Sequence, residues 1–143
     1  MATALLKVGA RVMQIPIRNH RSQKYRQNVL KLNQQIEIIE AGYEYLLAYA
    51  AQGKESDRIG DSISEVRTTL SNMADTTLLL IKEHEKDPIS FSWVIIDDAK
   101  KAHAAIDLVL NQKDISSEIV DNLNASIHLR ALLTDLFLIS EAN

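Results

Sequence analysis

The sequence contains no cysteine, only four glycines and only two prolines among its 143 residues. Without cysteine the chain has no disulfide, no thiolate metal ligand and no cysteine nucleophile. The few glycines and prolines provide too few turn positions for an all-β fold of many short strands. No uninterrupted apolar run approaches the ~18 residues of a membrane-spanning helix. These absences favour a helical protein with long elements and short connections.

The composition is that of an ordinary globular chain, with 46% hydrophobic and 24% charged residues. A chain of this length can bury one continuous core without covalent cross-links. We therefore predict a single domain over 1–143, with an N-terminal arm over 1–19 and a helical body over 20–143. The lack of cysteine is compatible with a cytoplasmic location, which we take as the expectation.

Charge is distributed unevenly along the chain. The first 36 residues carry seven basic side chains and no acidic one, whereas the remainder carries nine basic and nineteen acidic side chains. A basic segment of this kind favours nucleic acid or an anionic surface as partner. The candidate phosphate contacts are Arg18, Arg21, Lys24 and Arg26, which surround Tyr25. There are two alternatives: an organellar targeting peptide, and a basic helix that packs on the acidic remainder of its own bundle. We prefer the packed basic helix.

Apolar residues recur at helical spacing in four long segments, 20–51, 61–86, 88–111 and 114–140. Asp87 followed by Pro88 is typical of an N-cap and a first helical residue, and Asp114 or Ser116 can cap the last segment. Because the connections are short, the pattern predicts an all-α fold, an antiparallel up-down four-helix bundle. Ahead of it, the apolar residues of 1–15 predict a short N-terminal amphipathic helix.

The stretch "SFSWVIIDDAKK", residues 90–101, raises the question of a catalytic metal site. As a strand ending in two aspartates it would resemble a nucleotide hydrolase, but the phosphate-binding loop of that class is absent. As a helix it separates the carboxylates: Asp97 turns to solvent and Asp98 into the apolar arc. A buried charge is costly without a partner, and Arg130 lies in the apolar stripe of the fourth segment. We therefore hypothesise a buried Asp98–Arg130 pair.

A second acidic motif, Glu37-Ile38-Ile39-Glu40, resembles the E-x-x-E half of all-α nucleotide pyrophosphatases, which hold magnesium on facing helices. The E-x-x-D half occurs only at Glu118–Asp121, much farther along the chain than that family places it. The Glu-x-x-His motif of di-metal bundles is absent. A metal-dependent all-α hydrolase is therefore the third alternative, and no cofactor or metal is expected.

Two apolar surfaces remain as candidate partner-binding sites. On the first long helix, Ile38, Tyr45 and Tyr49 lie opposite the main stripe, and on the third, Trp93 turns away from the core beside Ile89 and Ile96. Tyrosine and tryptophan are enriched at interfaces and in binding hot spots. The sequence thus predicts a non-catalytic helical module that binds a protein or a second copy of itself, with nucleic-acid or anionic-surface binding as the alternative.

Overall fold

A computed structural model of the protein describes residues 3–8, 11–16, 20–87 and 89–142. Helices dominate this part of the chain, which confirms the predicted all-α class for its main body. Two strands precede five helices, and we number them in chain order: β1 Thr3–Val8, β2 Arg11–Pro16, α1 His20–Ala50, α2 Glu65–His84, α3 Phe91–Leu110, α4 Ser117–Ala125 and α5 His128–Glu141.

The predicted N-terminal helix is wrong. Residues Thr3–Val8 and Arg11–Pro16 form an antiparallel two-stranded sheet, in which Thr3 pairs with Pro16 and Val8 with Arg11. Two residues separate the strands, a connection length typical of a β-hairpin. The apolar pattern of a short segment does not distinguish helix from strand, and β-branched residues at both strands favour the extended backbone.

The chain divides into two compact units, Met1–Asn33 and Gln34–Asn143, and the boundary falls inside α1. The first unit consists of the hairpin and the beginning of α1. The second consists of the rest of α1 and the four following helices. The predicted division into a 1–19 arm and a 20–143 body stays a prediction.

The second unit has a continuous apolar core. Residues that are completely enclosed come from every helix of the unit, and they include Ile39, Leu46, Leu70, Met73, Leu80, Ile95, Ile106, Leu129, Leu132 and Leu136. Gly42 of α1 lies against the side chain of Met73 of α2, because a Cβ at Gly42 would lie 2.7 Å from Cγ of that methionine. A second contact, between Gln35 and Glu83 at 3.0 Å, shows that these two helices run antiparallel.

The predicted fourth helix is two helices, α4 and α5, which meet at Ser126 and Ile127. The Ser126 hydroxyl donates to the carbonyl of Leu123 at 2.6 Å, and side-chain bonds of this kind compete with helical backbone bonds. Ile127 then adopts a left-handed conformation with φ of 66°, which is rare for a β-branched residue. The break sets a new direction for α5, whose residues Leu129, Leu132, Leu133 and Leu136 face the core.

The helix starts agree with the sequence in one case and differ in another. Of the two predicted caps, Asp114 and Ser116, it is Ser116 that caps α4, because its Oγ accepts a hydrogen bond from the Ile119 amide at 3.1 Å. Asp87 is not the N-cap of α3, a position that Ser90 occupies. The Asp87 carboxylate instead accepts from the Ile89 amide at 3.3 Å, in the turn before the helix. Pro88 lies outside the described residues.

Candidate interaction surface

The start of α3 and the turn before it carry an exposed apolar surface, which we call the Trp93 surface and define as Ile89, which precedes the helix, and Trp93 and Ile96 on the helix. Trp93 is 64% exposed and Ile89 is 49% exposed, while Ile96 is half-buried. The opposite side of the same turns is anchored in the core, because Ser92 and Ile95 are buried. The helix therefore holds the indole ring outward on a rigid backbone, as the sequence predicts.

The second predicted surface is mostly enclosed. Tyr49 is only 2% exposed, and its hydroxyl donates to the carbonyl of Ile115 at 2.7 Å. Its ring lies against that of half-buried Tyr45, with the ring centres 6.3 Å apart, and burial raises the pKa of both tyrosines. Tyr49 joins α1 to the segment before α4 and cannot offer its ring to a partner. Of the three predicted contacts, Ile38 is the exposed one.

Sequence reasoning missed a buried ionic network around Asp57, in the charged loop between α1 and α2. We call it the Asp57 network and define it as Asp57, Ser64, Arg67 and the amide of Ile115. The carboxylate accepts from the Ser64 hydroxyl at 2.6 Å, from Arg67 Nε at 2.8 Å and from the Ile115 amide at 2.8 Å. Burial alone would raise the pKa of Asp57, but the three hydrogen bonds and the charge of Arg67 outweigh it and lower the pKa to about 2.

Arg67 extends the network to the carbonyl groups at the end of α3. Its guanidinium donates to the carbonyls of Leu110, Gln112 and Lys113 at 3.1, 2.8 and 2.9 Å. The loop before α2 is thereby fastened to the loop after α3. No pattern in the sequence marks this role, because the carbonyl partners of Arg67 are 43 to 46 positions away and the Ile115 amide that binds Asp57 is 58 positions away.

A groove of about 410 Å³ lies beside the Asp57 network. It is lined by Asp57, Arg58, Gly60, Asp61, Ser62, Ile63, Ser64, Arg67, Gln112 and Lys113. The guanidinium that faces it is already bonded to a carboxylate and three carbonyl groups, as described above. The remaining charged groups are of both signs, so the lining selects no particular ligand.

The hypothesised Asp98–Arg130 pair is not formed in this structure. Arg130 is exposed, whereas Asp98, which is half-buried on α3, shares a hydrogen bond with Asp135 on α5. Burial raises the pKa of Asp135, and the hydrogen bond and charge of Asp98 raise it further, to about 7. Asp97 behaves as predicted: it is exposed, and it forms an ion pair with Lys101 at 3.0 Å. The anomaly of a carboxylate in the apolar arc is real, but its partner is another carboxyl group.

The other sequence candidates are dispersed. Glu37 is exposed and Glu40 is half-buried, and no group of three or more metal-binding side chains occurs among the described residues. Of the candidate phosphate contacts, Lys24 is exposed and Arg26 is half-buried. Arg18 and the side chain of Arg21 lie outside the described residues. Within the described ranges, no helix combines the length and the apolar character needed to cross a bilayer.

Comparison with known proteins adds no relative. No protein family, curated protein or solved structure matches this chain.

Proposed function

We propose that the protein is a non-catalytic helical module that binds a protein partner, or a second copy of itself, through the Trp93 surface. The observation that carries this proposal is the 64% exposure of Trp93. A large ring on a helix whose other face is locked in the core is ready to bind, and little conformational entropy is lost when it does. Isolated exposed apolar residues are common, but tryptophan leads the residues found at binding hot spots.

The composition of the surface supports a protein partner over a small ligand. Trp93 on α3 and Ile89 just before the helix are exposed, and Ile96 is half-buried about one turn after Trp93, so the start of the helix carries an apolar surface. Small molecules are ordinarily bound in concave sites that cover most of their area. An exposed apolar surface at the start of a helix is complemented by a partner helix or by a groove in another protein.

Self-association is tested by sedimentation velocity over a range of protein concentrations, combined with the fluorescence of Trp93, which is the only tryptophan in the chain. We expect the sedimentation coefficient to rise with concentration and the emission to shift to the blue as the indole leaves water. Trp93→Ala should weaken the association by about 2 kcal/mol or more, the range of a binding hot spot.

The chain offers a matched control for this experiment. Leu108 is also on α3 and is also 64% exposed, but it lies near the other end of the helix. Leu108→Ala should leave the association unchanged. A wild-type chain that stays monomeric throughout refutes the self-association. The binding proposal as a whole fails if recovery of proteins from cell extract is the same for wild type, Trp93→Ala and Leu108→Ala.

Nucleic-acid or anionic-surface binding is the second candidate, because the first 36 residues carry seven basic side chains and no acidic one and Lys24 is exposed. Binding to a labelled oligonucleotide or to anionic vesicles should then weaken steeply with salt, since counterion release drives such contacts. Lys24→Glu should weaken it further, with Lys113→Glu at an exposed position elsewhere as the control. Binding that salt does not change would refute this candidate.

A further inference from the structure

Asp98 of α3 shares a hydrogen bond with Asp135 of α5, and the two helices pack on each other. Both side chains are half-buried, and the Oδ2 atom of Asp135 is enclosed. Among the residues that the structure describes, no N–H or O–H donor reaches that oxygen. Two carboxyl groups share a hydrogen bond only if one of them is protonated, since two ionised carboxylates side by side repel each other. The arrangement therefore holds together only with a bound proton.

The charges around the pair do not replace that proton. Lys101 is within electrostatic reach of Asp98, but it is exposed and held by Asp97 at 3.0 Å. The basic residues of α5 are Arg130, which is exposed, and His128, which is half-buried at the first position of the helix. On α4, which contacts both helices, the charged residues Glu118 and Asp121 are exposed acids. His103 of α3 is bonded to Thr77 of α2, with Oγ1 and Nδ1 3.1 Å apart.

The joint that leads into α5 is itself strained. Ile127 holds φ at 66°, a left-handed conformation that is unfavourable for a β-branched residue. It has no side-chain cap to offer the first turn of α5. The connection into α5 is therefore conformationally unfavourable. The position of α5 depends instead on the contacts that the helix makes along its length.

We propose that the Asp98–Asp135 pair is a proton-dependent latch, which fastens α5 to α3 when one carboxyl group is protonated and loosens α5 when both are ionised. This inference goes beyond the proposed binding function and does not depend on it. The apolar contacts of Leu129, Leu132 and Leu136 keep the helix in the core, so the loosened state is a local opening and not a separated helix.

The pH range of the latch follows from linkage. The pKa of Asp135 in the folded protein, about 7, lies above the ordinary value of 3.8, so the folded protein binds the proton more tightly than the unfolded chain does. The stabilisation is complete below the ordinary value and is lost as the pH rises through the folded-state value. Acid therefore tightens α5, and neutral to alkaline solution loosens it.

The test is amide hydrogen exchange of the full chain at about pH 5 and about pH 8, corrected for the intrinsic dependence of exchange on pH. We expect the opening equilibrium of α5 to increase roughly tenfold or more between these conditions, with a much smaller change in α2. Asp135→Asn should remove this difference, because the amide donates to Asp98 at every pH. Asp107→Asn, at an exposed position on α3, should keep it.

Three results would overturn the proposal: equal pH effects on α2 and α5 in the wild type, a wild-type pH effect that persists in Asp135→Asn, or loss of the effect in Asp107→Asn as well. If Asp135→Asn fails to fold, carboxyl-carbon NMR of the wild type decides the question. A titration of the pair near neutral pH supports the latch. Ordinary acidic titration of both groups refutes it.

Discussion

Removal of the Asp57 carboxylate should destabilise the protein more than any other single change at its loops. Asp57 is 6% exposed and accepts three hydrogen bonds, from Ser64, Arg67 and the amide of Ile115. Asp57→Asn keeps the shape of the side chain but removes its charge. Asp57→Ala also removes the acceptors, which leaves the Ile115 amide buried without a partner and the Arg67 guanidinium without its counterion.

The magnitude follows from the pKa of the carboxyl group. Lowering it from 3.8 to about 2 corresponds to roughly 2 kcal/mol in favour of the folded state with Asp57 ionised. We therefore expect Asp57→Asn to lower the free energy of unfolding at neutral pH by about 2 kcal/mol. For Asp57→Ala we expect about 3–5 kcal/mol, the range for a buried ion pair that loses one partner.

The assay is urea unfolding followed by far-ultraviolet circular dichroism, because the exposed indole of Trp93 is a poor reporter of the core. The matched control is Asp61→Asn in the same loop, where the side chain is exposed and the expected change is within about 0.5 kcal/mol. The reasoning is refuted if Asp57→Asn and Asp61→Asn are equally stable.

The acid limb of the stability profile, in which the free energy of unfolding decreases as the pH falls, gives an independent check. Because the folded-state pKa of Asp57 is below its ordinary value, its stabilisation is present above about pH 4 and is lost as the pH falls towards about 2. Asp57→Asn should lack that part of the acid limb. An unchanged acid limb in this variant would show that other carboxyl groups are responsible. The latch of Asp98 and Asp135 acts in the opposite direction and at higher pH, so the two effects are separable.

Two further substitutions test the packing. Gly42→Ala should destabilise the protein by about 1–3 kcal/mol, although alanine favours helix, because the added methyl group overlaps Met73. Measured by urea unfolding, this loss should shrink in a Met73→Ala background, and a loss of equal size there would contradict the overlap. Ile127→Asn should stabilise the protein by about 1 kcal/mol, because asparagine tolerates the left-handed conformation and Ile127 is 52% exposed. The check is the thermal midpoint, and a lower midpoint for Ile127→Asn than for the wild type would contradict the strain.

The helical segments were predictable because their cause is local. Apolar residues at a period of 3.6 mark a helix whichever neighbour it meets, and α1, α2 and α3 lie within the predicted segments. The Ser116 cap was predictable for the same reason, since its partner is three residues away. The outward position of Trp93 follows from the same periodicity.

The structure predictions were wrong where a local sequence pattern is compatible with two different structures. The apolar residues of 1–15 fit one side of a short helix and also two strands, and pairing between the strands decides for the hairpin. The fourth segment has helical spacing throughout, yet the bond from Ser126 to the Leu123 carbonyl interrupts it. Tyr49 lies opposite the main stripe on a helical wheel, but it is buried because its hydroxyl donates a hydrogen bond to a carbonyl group 66 positions away.

The sequence by itself determined that the protein is helical, where its long helices run, that it contains no cysteine chemistry and that Asp98 stands in an apolar arc. Only the tertiary structure decided the partners: Asp135 and not Arg130 for Asp98, Arg67 for Asp57, and the Ile115 carbonyl for Tyr49. The physical reason is the separation along the chain between the residues that interact. Helix periodicity and capping depend on residues within a turn of one another, whereas a buried charge is paired with whichever group the packing of distant helices brings within about 3 Å of it.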